Sequence, residues 1–299
     1  MKSFLIFLKQ HLIFLKTILV VFFIILLYLK VKDYSWDFHK IHFVVFPFIL
    51  FLMLIPFNYY IEWLKWKVIT KHNHLENKKK NLNAFASGLV SSFLTPSFSG
   101  NFIGRIMHYN KELKVTLTMQ TFVANIAQSI IAISFGLFAF FTVYKEVPNE
   151  YFLVLFGVSI LVYVFCNRVI AFLNIQYLHK IEPYLLTETL RLKLLALSFL
   201  RYSFFLAQYI LVLWAFRIPP SSEVVLLVLL VFLFVTISPS FFFGKILLRE
   251  SIAVGVFSLF DYDLNTIAIA SLSIWAFSIF TPSILSILVI DKSKTHAYA

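Results

Sequence analysis

Long apolar runs separated by short basic or proline-marked connections dominate the chain. A helix needs about 20 apolar residues to cross the hydrocarbon of a bilayer, and runs of that order fall at 12–29, 41–60, 115–143, 151–171, 194–216 and 264–290. The pattern predicts an all-α, polytopic membrane bundle. Two further apolar stretches, 84–108 and 223–260, are each broken by the same phrase. In the first, Thr95-Pro96-Ser97-Phe98 leads to Gly100, Gly104 and Arg105; in the second, Ser238-Pro239-Ser240-Phe241 leads to Gly244 and Arg249. A proline removes a backbone donor and disfavours helix before it, so neither stretch reads as a plain crossing.

Charge bias sets the orientation. The connection after Tyr60 carries Glu62, Lys65, Lys67, Lys71, Lys78, Lys79 and Lys80, the most basic in the chain, and such loops are cytoplasmic. Trp63 and Trp66 are expected at its membrane interface. Lys111 and Lys114 also belong inside, so the first phrase enters and leaves on the cytoplasmic side as a re-entrant pair of half-helices. Asp261 and Asp263 place the second phrase's ends outside, while Lys292 and Lys294 keep the C-terminus inside beside a cytoplasmic N-terminus. Two dips from opposite faces are the product of an inverted repeat. Its first half covers about 1–173 and its second about 194–299, joined by a polar cytoplasmic linker over about 174–193, all within one integral membrane domain spanning 1–299.

Composition supports this class. The 299 residues are 61% hydrophobic and 13% charged, against about 25% charged in soluble domains. A formal charge of +12 lies in loops beside apolar runs, which argues for topology and anionic lipid and against nucleic acid. Cys166 is the single cysteine, which excludes a disulfide framework and a cysteine metal site. The basic, then apolar, N-terminus has no small-residue cleavage site and is taken as a retained first helix. No phosphate-binding loop, zinc-spaced set or nucleophile elbow occurs, so no cofactor, metal or catalytic residue is assigned.

The candidate chemistry is anion binding. Half-helices starting at Pro96 and Pro239, capped by Thr95 and Ser238, would aim free N–H groups and a positive dipole end at the bilayer centre. Arg105 and Arg249, nine and ten residues further on, lie roughly 14–15 Å away along a helix, nearer the mouth of each dip. Their planar forks suit phosphate, and an arginine at membrane depth is costly without a purpose. Ser97, Ser99, Asn101 and Ser240 would add polar contacts. Asn125 and Gln128, one turn apart, either bond a neighbouring helix or line the site, as do Gln120, Arg201 and Gln208. Glu250 is read as the counter-ion of Arg249.

At these residues the chain resembles the lysylphosphatidylglycerol synthase transmembrane family, also called the flippase-like domain family. The matching stretches are Leu94-Thr95-Pro96 through Gly100 and Gly104-Arg105, Asn125 to Gln128 with Gly136, then Pro239-Ser240, Gly244, Arg249-Glu250 and Trp275 with Pro282. The resemblance, over most of the chain, implies a stand-alone lipid-translocating membrane domain without the synthase. Asn101 stands where the family often has an acid, and Lys245 follows Gly244 where relatives carry glycine or an acid. The expected function is a lipid translocase or facilitator of the bacterial inner membrane. Its ligand would be an anionic phospholipid, an aminoacylated lipid or a polyprenyl phosphate, in a cavity between two halves. A non-transporting accessory or scaffold protein of an envelope lipid or glycan pathway is the alternative. A homo-oligomer or an envelope-pathway enzyme stays open as partner.

Overall fold

The computed structural model describes residues 43–94, 99–144, 149–173, 184–238 and 244–290. The predicted span 12–29, the connection 30–40, the phrase residues Thr95, Pro96, Ser97, Pro239 and Ser240, and the charged C-terminal tail lie outside them. All described helices belong to one compact unit, Phe43–Ala299. Every regular element among the described residues is helical: α1 Val45–His72, α2 Lys78–Leu94, α3 Ser99–Ile106, α4 Lys111–Tyr144, α5 Asn149–Val164, α6 Cys166–Leu173, α7 Glu188–Ala215, α8 Ser222–Ile237, α9 Gly244–Phe257, α10 Leu264–Trp275 and α11 Thr281–Val289. A short π segment, Ala276–Phe280, joins α10 to α11. Among the described residues, four helical stretches are long and apolar enough to cross a membrane: α1, α4, α7 and the continuous run Leu264–Val289.

The largest departure from the sequence reading is α1. Expected to end near Tyr60, it runs on through His72, because no glycine or proline interrupts residues 57–72 and Glu, Leu and Lys are good helix formers. Glu62 and Lys65 are therefore helical and buried, not loop residues, and Trp66 is fully buried instead of lying at an interface. Asn73 ends the helix by donating from Nδ2 to the Ile69 carbonyl, and His74 follows with φ 54° in the left-handed region. The faces of α1 are inside out relative to a soluble helix. Phe46, Ile49, Met53, Phe57 and Tyr60 point outward, while Asn58, Glu62 and Lys65 are buried.

Helix α7 also starts earlier than expected, at Glu188, and takes in part of the predicted polar linker. Arg191, assigned to that linker, is fully buried; its Nη1 donates to Asn167 Oδ1 at 2.7 Å and contacts the Cys166 thiol. The predicted span 151–171 is split, since α5 stops at Val164 and α6 begins at Cys166. Ser221 caps α8 by accepting from Val224 N, just past Pro219 and Pro220. Ser238 is the C-cap of α8, and the phrase residues that follow it lie outside the described ones. A residue before proline avoids the helical region, and Ser238 has ψ 127°.

Helices α1 and α7 pack antiparallel: Val44 N donates to Ala215 O at one end, and Asn58 meets Arg201 midway. Helices α2 and α3 form a tight hairpin, α8 and α9 a looser one, and each hairpin packs on a helix from the other half of the chain. The first hairpin lies against α11 through α2, and the second against α4 through α8. Gly136 of α4 makes the latter approach possible, because a Cβ there would meet Leu233 Cβ at 2.3 Å.

Candidate functional site: a buried cationic cluster

The site begins with two glycines. A Cβ on Gly104 would lie 2.3 Å from the Ser87 carbonyl oxygen, and one on Gly88 would lie 2.7 Å from Arg105 Cγ. Only bare Cα atoms allow α2 and α3 to approach this closely. The open end of the hairpin is knotted by Asn81. Its Oδ1 accepts from Tyr109 Oη at 2.6 Å, its Nδ2 donates to Leu75 O at 2.7 Å, and its carbonyl accepts from Trp66 Nε1 at 3.1 Å. Ser87 Oγ and His108 Nε2 lie 2.7 Å apart across the same end. Leu75 N in turn donates to the Thr70 carbonyl at 2.9 Å, which ties this end of the hairpin to α1.

This scaffold turns Arg105 from the last turn of α3 onto α1. Its Nη2 donates to Glu62 Oε1 at 2.8 Å, and its guanidinium lies over the rings of Trp66 and Phe85 at 5.0 and 5.2 Å. Glu62 Oε2 is 3.0 Å from Arg201 Nη1 of α7 and 3.7 Å from Lys65 Nζ. Side-chain exposure is 2% for Arg105, 4% for Glu62, 1% for Lys65 and 18% for Arg201. Three cations therefore share one carboxylate in a region almost closed to solvent. Arg105 Nε and Lys65 Nζ make no hydrogen bond there.

Polar residues extend the cluster along α7. Arg201 Nε donates to Asn58 Oδ1 at 3.1 Å, and Asn58 Nδ2 donates to Gln208 Oε1 at 3.2 Å. The adjacent Tyr59 donates to Ser278 O in the π segment at 2.7 Å. A π segment leaves carbonyls out of the regular ladder, and this phenol takes one of them. The network links α1, α7 and the last apolar run around the carboxylate of Glu62.

The predicted residues divide unevenly. Arg105 and the buried Asn101, whose Oδ1 has no hydrogen-bond partner, belong to the first hairpin with Gly100 and Gly104. Ser99 opens α3. Arg249 stands apart from this cluster, its guanidinium 5.6 Å from the centre of the Tyr209 ring; Glu250 is buried beside it on α9. Gly244 opens α9. Asn125 and Gln128 are half-buried on α4, with Gln128 Oε1 lacking a hydrogen-bond partner. Gln120 does bond a neighbour, accepting from Asn73 Nδ2 at 2.6 Å.

Sequence reasoning missed Glu62, Lys65, Asn58 and Asn81. The signal was present in part: Asn58, Glu62 and Lys65 fall at i, i+4 and i+7, one face of a helix. Reading the lysine run as a loop concealed it. Compared with protein-family models, with curated proteins and with solved structures, the chain matches none.

Proposed function

We propose that this chain is a lipid translocase or facilitator of the bacterial inner membrane, and that it takes the phosphate of a lipid headgroup at the Arg105, Lys65 and Arg201 cluster. One observation carries the reading: two buried cations and a partly buried third share a single carboxylate. Burying unbalanced charge is strongly unfavourable, and a phosphate oxygen accepts from guanidinium and ammonium groups in the manner Glu62 already does.

The helix arrangement favours two inverted halves. An in-plane twofold would set α1 antiparallel to α7 and exchange the contact of α2 with α11 for that of α8 with α4, and both features are present. Each hairpin then dips from its own face, as in the flippase-like domain family that the motifs resemble.

The test is headgroup movement in vesicles reconstituted with the full chain and a fluorescent phospholipid or a polyprenyl phosphate. Wild type is expected to accelerate exchange between leaflets, and Arg105→Ala to abolish the acceleration while remaining folded by circular dichroism. Absence of protein-dependent movement with any of these lipids would leave the accessory reading in its place.

A further inference from the structure

The charge count at the cluster narrows the ligand. Each of Lys65, Arg105 and Arg201 contributes one positive charge and Glu62 removes one, which leaves an excess of two. Among the described residues, the ion pairs of Lys65, Arg105 and Arg201 all go to Glu62. We infer that the site is matched to a lipid phosphomonoester, a headgroup with two ionisable phosphate oxygens, in preference to a phosphodiester headgroup with one. A phosphomonoester carries about −1.5 to −2 charges near pH 7; a diester carries a single charge and would leave the cluster unbalanced.

The geometry suits the same class. A terminal phosphate has three equivalent oxygens, as many as the cations it would meet, while Glu62 keeps Arg105 Nη2. A diester offers only two non-bridging oxygens, and its second substituent must also fit beside the Trp66 and Phe85 rings that flank Arg105. The way in favours a lipid. Arg201 is the most exposed of the three cations, and its guanidinium lies over Phe205 at 5.0 Å. Phe204, next along α7, stacks on Phe57 at 6.2 Å, and Phe57 belongs to the outward apolar face of α1. A headgroup reaching Arg201 from that side keeps its acyl chains against apolar surface.

This inference rests on the proposed lipid-phosphate role, and its failure is separable from failure of that role. The full chain in phosphatidylcholine nanodiscs is offered phosphatidate, phosphatidylglycerol or water-soluble glycerol 3-phosphate, and the retained phosphate compound is quantified by mass spectrometry. Phosphatidate is expected to be retained at least about tenfold more tightly than phosphatidylglycerol, because one additional charge at contact distance is decisive in a poorly solvated site. Arg201→Gln lowers the excess to one and should bring that ratio toward unity, whereas Arg201→Lys keeps the charge and should keep the ratio. Arg201 is partly exposed, so these variants leave the packed interior in place. Equal retention of the two lipids, or an unchanged ratio in Arg201→Gln, would overturn the inference. Glycerol 3-phosphate bound as well as phosphatidate would assign the site to a soluble phosphate and also overturn it. Translocation of phosphatidylglycerol at the phosphatidate rate would defeat the selectivity alone; selective retention without movement would defeat the translocase reading alone.

Discussion

The two hairpins carry the same phrase and treat their arginines differently. Arg105 is enclosed, paired with Glu62 and stacked on two aromatic rings. Arg249 is half-buried and faces one ring, that of Tyr209. The α2 and α3 axes are drawn together by Gly88 and Gly104, whereas a Cβ on Gly255 of α9 would meet nothing within 4 Å. An echoed motif therefore fixes where an arginine falls on its helix, and the neighbouring helix decides its environment. Here α1 brings Glu62 and Lys65 to the first arginine, and α7 brings Tyr209 to the second.

Charge balance gives the comparison its most severe test. Glu62→Ala would leave three cations at the first arginine without their shared carboxylate, and removing one partner of a buried ion pair costs about 3–5 kcal/mol. Arg249→Leu removes only a cation over a ring, an interaction worth about 0.5–2 kcal/mol. Unfolding in detergent, followed by circular dichroism against denaturant, should rank the first variant well below the second. Equal losses would mean that Glu62 does not hold the cluster together.

The packing contrast gives a smaller effect. A methyl group on Gly104 would meet backbone, the Ser87 carbonyl oxygen at 2.3 Å, so Gly104→Ala must part α2 from α3 at a cost of about 1–3 kcal/mol. Gly255→Ala fills open space within a helix and should be neutral or stabilising by up to about 1 kcal/mol. Thermal unfolding of the two single variants reads the difference directly. A loss at Gly255 as large as that at Gly104 would remove the contrast between the hairpins.

Much of this arrangement was legible in the residues. Apolar runs of the right length located α4, α7 and the final run, and the paired Pro-Ser-Phe phrases located both hairpins between them. The cluster was legible only at Arg105 and Arg201. Glu62 and Lys65 were hidden because charged residues just past an apolar run have the same appearance in a cytoplasmic loop and in a helix that carries its charges inward. What separates these cases is a partner far along the chain, 43 residues away for Arg105 and Glu62, and local pattern has no access to it. Trp66 misled for the same reason: its ring suits an interface, yet its Nε1 finds the Asn81 carbonyl in the interior.

The finest distinction lies at the hairpins' open ends, each of which has a tyrosine donating to the hairpin's first helix. Tyr109 donates to Asn81 Oδ1 at 2.6 Å in a buried setting, and Tyr262 donates to Glu223 Oε1 at 3.0 Å in an exposed one. Removing the first hydroxyl would strand a buried amide oxygen, since the Asn81 Nδ2 is already committed to Leu75 O; Tyr109→Phe should cost about 1–2 kcal/mol. Water replaces the lost donor at Glu223, so Tyr262→Phe should stay within about 0.5 kcal/mol of wild type. Hydrogen exchange at the amides of 78–90 and 223–235 distinguishes the two: the first stretch should lose protection in Tyr109→Phe, while the second keeps its protection in Tyr262→Phe. If the second stretch opened as readily as the first, the knot around Asn81 would have no special part in holding Arg105 against Glu62, and the asymmetry between the hairpins would reduce to the cluster alone.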